Sequence, residues 1–146
     1  MPTVRRVRTL PATPEELWAI VGDAHHLPRW WPLVTRVEGV DAGAFTQVLT
    51  TTKGVPVRAD FRVVESAAPR VRRWSQELVN TPFARVLASS EVEVRLQPAG
   101  AAGTRVAVAL VQRLRGTAVL ASFMVRSAGR RTLDDALNGL EALVAP

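Results

Sequence analysis

The feature that most constrains the fold is a long amphipathic stretch at the end of the chain, over residues 117–144. Apolar side chains recur there with the helical period at Leu133, Ala136, Leu137, Leu140, Leu143 and Val144. The opposite side carries Asp134, Asp135, Asn138 and Glu141. A helix of this span is about 40 Å long, so it needs support along its length. The pattern predicts one long helix packed against a sheet built from residues 1–116.

Upstream of this stretch the apolar period is mostly two, which is typical of strands with one buried face. The sequence predicts a first strand over 3–10 and six more over 33–41, 44–52, 55–66, 70–79, 85–98 and 104–114. Gly, Pro, Asn and Asp separate them, and such short connections make consecutive strands antiparallel neighbours. The alternation predicts that Val92, Val94 and Leu96 face the helix, as do Val106, Val108 and Leu110.

Two short helices are predicted between the first strand and the second. Thr13, followed three residues later by Glu16, forms a capping box that starts the first helix. Gly22 ends it, and Asp23 can cap a second short helix that runs to residue 31.

The composition limits the class of protein. A length of 146 residues predicts a single domain, and the chain has no cysteine for disulfides or thiolate chemistry. Neither a long apolar run nor an apolar N-terminal signal is present, so we expect a cytoplasmic protein with no transmembrane segment. The net charge of +6 comes from scattered arginines, and tyrosine is absent. Without interleaved aromatic and basic residues, the sequence argues against nucleic-acid binding.

No pattern of catalytic or cofactor-binding residues stands out. His25 and His26 lie close to Asp23, but adjacent helical side chains diverge and the aspartate is explained as a cap. Gly100 and Gly103 lie in a hairpin turn rather than in a phosphate loop. We therefore expect no metal and no cofactor, and we assign no catalytic residue.

The order of elements and one N-terminal stretch resemble a known family. The stretch is Ala12-Thr13-Pro14-Glu15-Glu16-Leu17-Trp18, then Asp23 and Leu27-Pro28-Arg29-Trp30-Trp31-Pro32-Leu33-Val34. It is similar to the polyketide cyclase/dehydrase and lipid-transport family of the START-like, birch-pollen-allergen-like helix-grip superfamily. The resemblance implies an α+β fold, a curved seven-stranded antiparallel sheet around a C-terminal helix, with an apolar ligand cavity between them. Ligand carriers, hormone receptors and aromatic polyketide cyclases share this fold, so the fold alone does not choose among them.

Candidate ligand-binding residues follow from the predicted faces. Alternation places five strand residues inwards: Phe61, Trp74, Gln76, Leu110 and Gln112. The two glutamines either bond a ligand or lie at strand ends, bonded to water or to the helix. Trp31 is expected to line the cavity mouth while Trp30 is core. Phe83 either covers the entrance or anchors its loop.

Two further candidates lie in the first half of the long helix. Arg126 shares a side with Leu133, so it either faces an anionic ligand or extends its guanidinium into water. Phe123 and Met124 fall opposite the second half's apolar stripe. A kink at Gly129 would turn them over the cavity, whereas a straight helix would expose them to a second subunit or a membrane surface.

The predicted function is binding of a hydrophobic, aromatic or polycyclic small molecule, as a carrier or sensor. The alternative is a cyclase or dehydratase acting on an aromatic polyketide-like substrate. The predicted partners are that small molecule and, if the helix is straight, a second copy of the chain.

Overall fold

A computed structural model describes residues 3–51 and 53–145 of the chain. Seven strands form one antiparallel sheet, which confirms the predicted number and type of strands. They are β1 (Thr3–Leu10), β2 (Val34–Glu38), β3 (Ala44–Thr50), β4 (Pro56–Ala67), β5 (Val71–Gln76), β6 (Leu87–Pro98) and β7 (Thr104–Leu114). The predicted strand over 44–52 includes Thr52, which lies outside the described residues.

The strands lie in the order β1-β7-β6-β5-β4-β3-β2. Consecutive strands from β2 to β7 are neighbours, as their short connections predict. β1 pairs with β7 instead of β2, with Thr3 opposite Val111 and Leu10 opposite Thr104. The segment between β1 and β2 therefore crosses from one edge of the sheet to the other.

The inward faces are those that the alternation predicts. Val94, Val106 and Val108 have no exposed surface, and they pack beneath the C-terminal helix as part of one apolar core. A bulge after Val63 shifts the register in β4, and Glu65 beyond it meets Arg73 on the outer face of the sheet. Such an extra residue reverses the side-chain faces beyond it.

The crossing segment contains the two predicted short helices. Helix α1 (Pro14–Val21) starts at Thr13, whose hydroxyl accepts from Glu16 N–H at 3.1 Å. Asp23 caps a 3₁₀ turn over Ala24–His26, and helix α2 (Leu27–Trp30) follows directly. The predicted second helix is therefore a short 3₁₀ turn joined to one α-helical turn.

The C-terminal helix α3 (Ser122–Val144) is shorter than the sequence predicts, because residues 116–121 form a 3₁₀ turn before it. Its second half carries the core face, with Leu133, Ala136, Leu137 and Leu140 fully buried. Two arginines of β1 bond to polar side chains on the second half of α3. Arg6 Nε lies 3.1 Å from Asp134, and Arg8 donates to Asn138 at 2.7 Å.

Two glycines of α3 mark its closest packing contacts. A Cβ on Gly139 would lie 2.6 Å from the carbonyl oxygen of Trp30, and one on Gly129 would lie 2.9 Å from Val4 Cγ2. Both positions exclude a side chain because α2 and β1 approach the helix there. A break at Gly129 is not present: α3 is one continuous helix through this residue, and the glycine is a packing position against Val4.

No helix among the described residues is long and apolar enough to cross a membrane.

Candidate ligand-binding site

A pocket of about 200 Å³ lies between the inner face of the sheet and α3. We call it the inner pocket, and its lining residues are Trp31, Gln47, Phe61, Trp74, Gln76, Ser90, Val92, Leu110, Gln112 and Thr132. Five strands, from β3 to β7, supply eight of these side chains, Trp31 follows α2, and Thr132 comes from α3. The pocket therefore occupies the place where the sheet and the helix diverge.

A continuous aromatic cluster forms one wall of the inner pocket. Trp31 packs edge-on against both Trp30 and Trp74, with ring centroids 5.4 and 5.9 Å apart. Phe45 joins Trp74 at 6.2 Å and stacks on Phe61 at 5.4 Å with the rings nearly parallel. The chain has eight Trp and Phe residues in total, so five of them are concentrated here. Such a wall offers flat apolar faces to a planar ligand.

Three amide side chains face the same space from the sheet. Gln112 donates to the Ser90 hydroxyl at 3.3 Å. Gln47 is only 3% exposed, yet neither it nor Gln76 makes a side-chain hydrogen bond to another described residue. A buried amide without a partner destabilises the fold unless water or a ligand completes its bonds. These amides are therefore available as donors and acceptors inside an otherwise apolar pocket.

Trp74 contributes a further free donor. Its side chain is 1% exposed and its indole N–H finds no acceptor among the described residues. The same holds for Trp30, which belongs to the core but does not line the pocket. Because Trp74 lines the pocket, an acceptor held there could satisfy its N–H group.

None of the described lining residues is ionisable at neutral pH. On the same face of β5, Arg72 lies two residues before Trp74, and it is buried with one bond to the Ser66 hydroxyl at 3.2 Å. Burial lowers the pKa of Arg72, and the negative charge of Asp23 partly opposes that shift. Arg72 does not line the pocket, so the pocket itself carries no formal charge.

A second, outer pocket of about 380 Å³ adjoins the first. Its lining residues are Pro82, Phe83, Val86, Leu87, Gln112, Leu114 and Val125. Gln112 belongs to both linings and therefore stands between the two pockets. Apart from this amide the lining side chains are apolar, which makes the outer pocket a suitable approach for a hydrophobic molecule.

A larger hollow of about 500 Å³ lies on the opposite face of the sheet. Arg5, Arg70, Arg95 and Arg105 surround it, and all four are exposed. Because its walls are charged and wet, it suits a hydrophobic ligand less well than the inner pocket does.

The structure brings together most of the residues that the sequence singled out. Six of the nine line the inner pocket, namely Trp31, Phe61, Trp74, Gln76, Leu110 and Gln112. Phe83 lines the outer pocket, within a 3₁₀ turn over Pro82–Arg85. Trp30 is core, as expected.

Phe123 and Arg126 line neither pocket. Both are exposed, so the structure favours the second alternative for each: Phe123 faces outwards from a continuous helix, and Arg126 extends its guanidinium into solvent. Arg126 shares a helical face with Leu133, but the sheet does not cover the first two turns of α3. None of residues 122–128 is buried.

Four lining residues were missed at the level of sequence: Gln47, Ser90, Val92 and Thr132. Val92 was assigned to the inward face but not to the pocket. Gln47 could have been found by extending the alternation to β3, since it lies opposite Ala59 and two residues after Phe45. Thr132 carries no comparable signal, because its hydroxyl donates to the Ala128 carbonyl as in many ordinary helices.

The two histidines lie at the 3₁₀ turn rather than in either pocket. His25 Nδ1 is 2.8 Å from Asp23, whose carboxylate also accepts from the His25 backbone N–H at 3.0 Å. That backbone bond is the main cause of a lowered pKa for Asp23. Within the described ranges, no three His, Asp or Glu side chains gather as a metal ion requires. The arrangement is that of a helix cap.

The sheet, the C-terminal helix packed against it and the pocket between them define a helix-grip fold. Solved structures share this fold over nearly the whole chain. A START superfamily protein from Mycobacterium smegmatis has a TM-score of 0.77 at 17% identity, covering 97% of this chain and 96% of that one. A protein from Chromobacterium violaceum has a TM-score of 0.78 at 19% identity, covering 99% and 98%.

A third similar structure is the di-domain ARO/CYC StfQ from the steffimycin biosynthetic pathway. Its TM-score is 0.78 at 13% identity, covering 98% of this chain and 50% of that one. The TM-scores establish a shared fold, and at these low identities the likeness shows the fold alone. No curated protein matches the chain.

The family itself is established by sequence. Residues 1–145 match the family described as polyketide cyclase / dehydrase and lipid transport, and the chain belongs to that family.

Proposed function

We propose that this protein binds an uncharged aromatic or polycyclic small molecule in the inner pocket, as a carrier or sensor. The observation that carries the proposal is the lining itself: aromatic and amide side chains, with no ionisable group among the described residues. Family membership supports a hydrophobic ligand or a cyclase role, and it leaves the substrate open.

The absence of charge in the described lining argues for a neutral ligand. A carboxylate or phenolate moved from water into this pocket would lose its hydration without meeting a cation, and such desolvation is strongly unfavourable. Arg126, the cation that the sequence offered for an anionic ligand, is exposed on α3.

The hydrogen-bonding groups argue for a ligand with oxygen substituents. The indole N–H of Trp74 has no partner among the described residues, and the amides of Gln47 and Gln76 line the same pocket. A ring bearing carbonyl or hydroxyl groups would satisfy them while its faces pack on Trp31, Trp74 and Phe61. At about 200 Å³ the inner pocket is smaller than ordinary drug-sized sites, so a longer ligand would extend past Gln112 into the outer pocket.

A cyclase role is the second candidate, and it is favoured by the family and by the likeness to a di-domain ARO/CYC protein. General acid–base catalysis needs a titratable group within hydrogen-bond reach of the substrate. The described lining provides amides, hydroxyls and an indole. A cyclase built on this pocket would therefore act by holding a flexible chain in a folded conformation.

A matched pair of probes tests the neutral-ligand proposal. 2-Naphthamide and 2-naphthoate have nearly the same shape, and only the second is charged at neutral pH. We expect the amide to bind at least tenfold more tightly, measured by calorimetry and by quenching of tryptophan emission. Equal affinity, or tighter binding of the acid, would show that a cation serves the ligand and that the proposal is wrong.

Two variants place the probe in the inner pocket. Phe61→Arg puts a charge on the aromatic wall and should abolish binding, with Phe61→Leu as the control that keeps the pocket apolar. Gln47→Leu should weaken 2-naphthamide while strengthening unsubstituted naphthalene, because it removes a polar group that only the amide can use. Unchanged binding in both Phe61→Arg and Gln47→Leu would locate the probe elsewhere.

The cyclase candidate has its own test. Incubation with a reactive linear polyketide-like substrate should change the ratio of cyclised products if the pocket templates folding. An unchanged ratio beside tight binding of the cyclised aromatic product would support the carrier or sensor role.

A further inference from the structure

The 3₁₀ turn before α3 and the first turn of α3 expose four large apolar side chains. Val119, Leu120, Phe123 and Met124 are 53%, 83%, 71% and 60% exposed. We call this group the apolar tip. It lies at the end of α3 that the sheet does not cover, and a cluster of this kind on a protein surface usually marks a binding surface.

Arginines flank the apolar tip in the sequence, and no acidic residue lies among them to balance their charge. Between Glu93 and Asp134 the chain contains seven arginines and no acidic residue. Five of them flank the tip and are exposed; we call them the basic rim: Arg113, Arg115, Arg126, Arg130 and Arg131. None of these five side chains makes an ion pair or hydrogen bond with another described residue. The nearest acidic side chains on α3 are Asp134, which pairs with Arg6, and the exposed Asp135.

The spacing along α3 places the charge behind the apolar side chains. Arg126 and Arg130 are three and seven residues after Phe123, so all three share one helical face. At about 1.5 Å per residue, Arg130 lies roughly 10 Å behind Phe123. Helices that lie in the membrane interface bury their apolar face about 5–10 Å deep, and we take the same depth for the apolar tip, which enters with the end of α3 first. The guanidinium groups would then lie at the level of the lipid phosphates.

Two partners could cover this surface, a second copy of the chain or a lipid bilayer, and the charge of the surface favours the bilayer. In a two-fold dimer the same surface meets itself, so the basic rim of one copy would face that of the other. Like charges brought together in this way oppose association. An anionic bilayer presents the complementary charge and accepts the apolar side chains.

We propose that the apolar tip and the basic rim dock this protein onto the surface of an anionic lipid bilayer. Docking requires no ligand and stands apart from the function proposed above. It does give the outer pocket a role, because Val125 lies between Met124 and the rim residue Arg126 and lines that pocket beside Phe83 and Val86. A hydrophobic molecule leaving the bilayer would reach the outer pocket without crossing open water.

Vesicle sedimentation tests the proposal on the whole chain. The wild type should bind vesicles of phosphatidylglycerol and phosphatidylcholine, bind pure phosphatidylcholine at least tenfold more weakly, and dissociate as salt is raised. Phe123→Asp/Met124→Glu should lose binding by tenfold or more. Arg126→Gln/Arg130→Gln should weaken it about fivefold for each arginine removed, since each basic residue near an anionic surface contributes about that factor.

Matched controls lie elsewhere on the surface. Val79→Asp removes an exposed apolar side chain outside the tip, and Arg5→Gln/Arg105→Gln removes the same charge from the opposite face of the sheet. Both should bind anionic vesicles within about twofold of the wild type. Equal losses of vesicle binding in the control and rim variants would mean that only the net charge of the protein matters, and would overturn the proposal. So would a wild-type dimer that ignores vesicles and becomes a folded monomer when Phe123 and Met124 are replaced.

Discussion

Both halves of α3 carry large apolar side chains, but the two halves lie in different surroundings. The second half buries Leu133, Leu137 and Leu140 against the sheet and the short helices. The first half presents Phe123 and Met124 to solvent. One unbroken helix therefore completes the core at one end and displays an apolar surface at the other. The difference shows that an apolar stripe predicts which side chains align, while the reach of the sheet decides which of them are buried.

The largest expected effect is the difference between the two halves in the free energy of unfolding that is lost when an apolar side chain is truncated. Leu137→Ala should lower the free energy of unfolding by about 2–5 kcal/mol, because it removes a 1% exposed side chain and leaves a cavity. Met124→Ala, in the first half, should change it by less than about 0.5 kcal/mol, since that side chain is 60% exposed. Urea denaturation measures both. Comparable losses would mean that the first half is buried in solution, as in a stable dimer.

A smaller effect is expected where α3 meets α2. Gly139→Ala places a Cβ against the backbone of Trp30, which cannot move without displacing α2. Overpacking of this kind should destabilise the fold by about 1–3 kcal/mol, beyond the helix propensity that alanine gains. A stabilised variant in thermal unfolding would show that α2 and α3 are less closely packed than described.

A substitution at Gly129 should destabilise the fold by a smaller amount again, and a second substitution at Val4 should relieve part of that loss. Gly129→Ala meets Val4 Cγ2, a side-chain atom, so a loss of about 1 kcal/mol is expected. Adding Val4→Ala should relieve the clash, and the double variant should lose less than the two single losses summed. Simple additivity would instead place Gly129 away from β1.

The smallest effect concerns the cap at Asp23, outside α3. The backbone N–H of His25 lowers the pKa of this carboxyl in the folded protein. Its contribution to stability is therefore complete above the unfolded value of about 3.9 and is lost as the pH falls through the lower, folded pKa. Asp23→Asn keeps a capping oxygen that does not titrate, so its stability should fall less steeply below about pH 4. Because Asp23 is half exposed, the difference should be small. Parallel acid titrations of both proteins would reveal it, and identical slopes would contradict the assignment.

Much of the fold followed from local pattern. Period two marked the seven strands, and the capping residues Thr13 and Asp23 marked both short helices, because these signals depend only on neighbouring residues. The inward positions of Phe61, Trp74 and Gln112 followed from alternation. The pairing of β1 with β7 and the reasons for Gly129 and Gly139 depend on contacts between distant segments, which no local pattern contains.

The residues of the candidate site could likewise be predicted only where a local pattern indicated them. Gln47 was overlooked although its strand alternates, and Thr132 reaches the inner pocket from a helix whose neighbouring residues gave no sign of it. Arg126 was misplaced because helical phase was taken as burial. The neutral character of the lining emerged only when β3, β6 and α3 were brought together.

Native mass spectrometry of the protein purified from its own host tests the central claim most directly. The account predicts one uncharged aromatic or polycyclic molecule per chain, retained by the wild type and by Phe61→Leu and lost in Phe61→Arg. A bound carboxylic acid, or a molecule that Phe61→Arg retains, would contradict it.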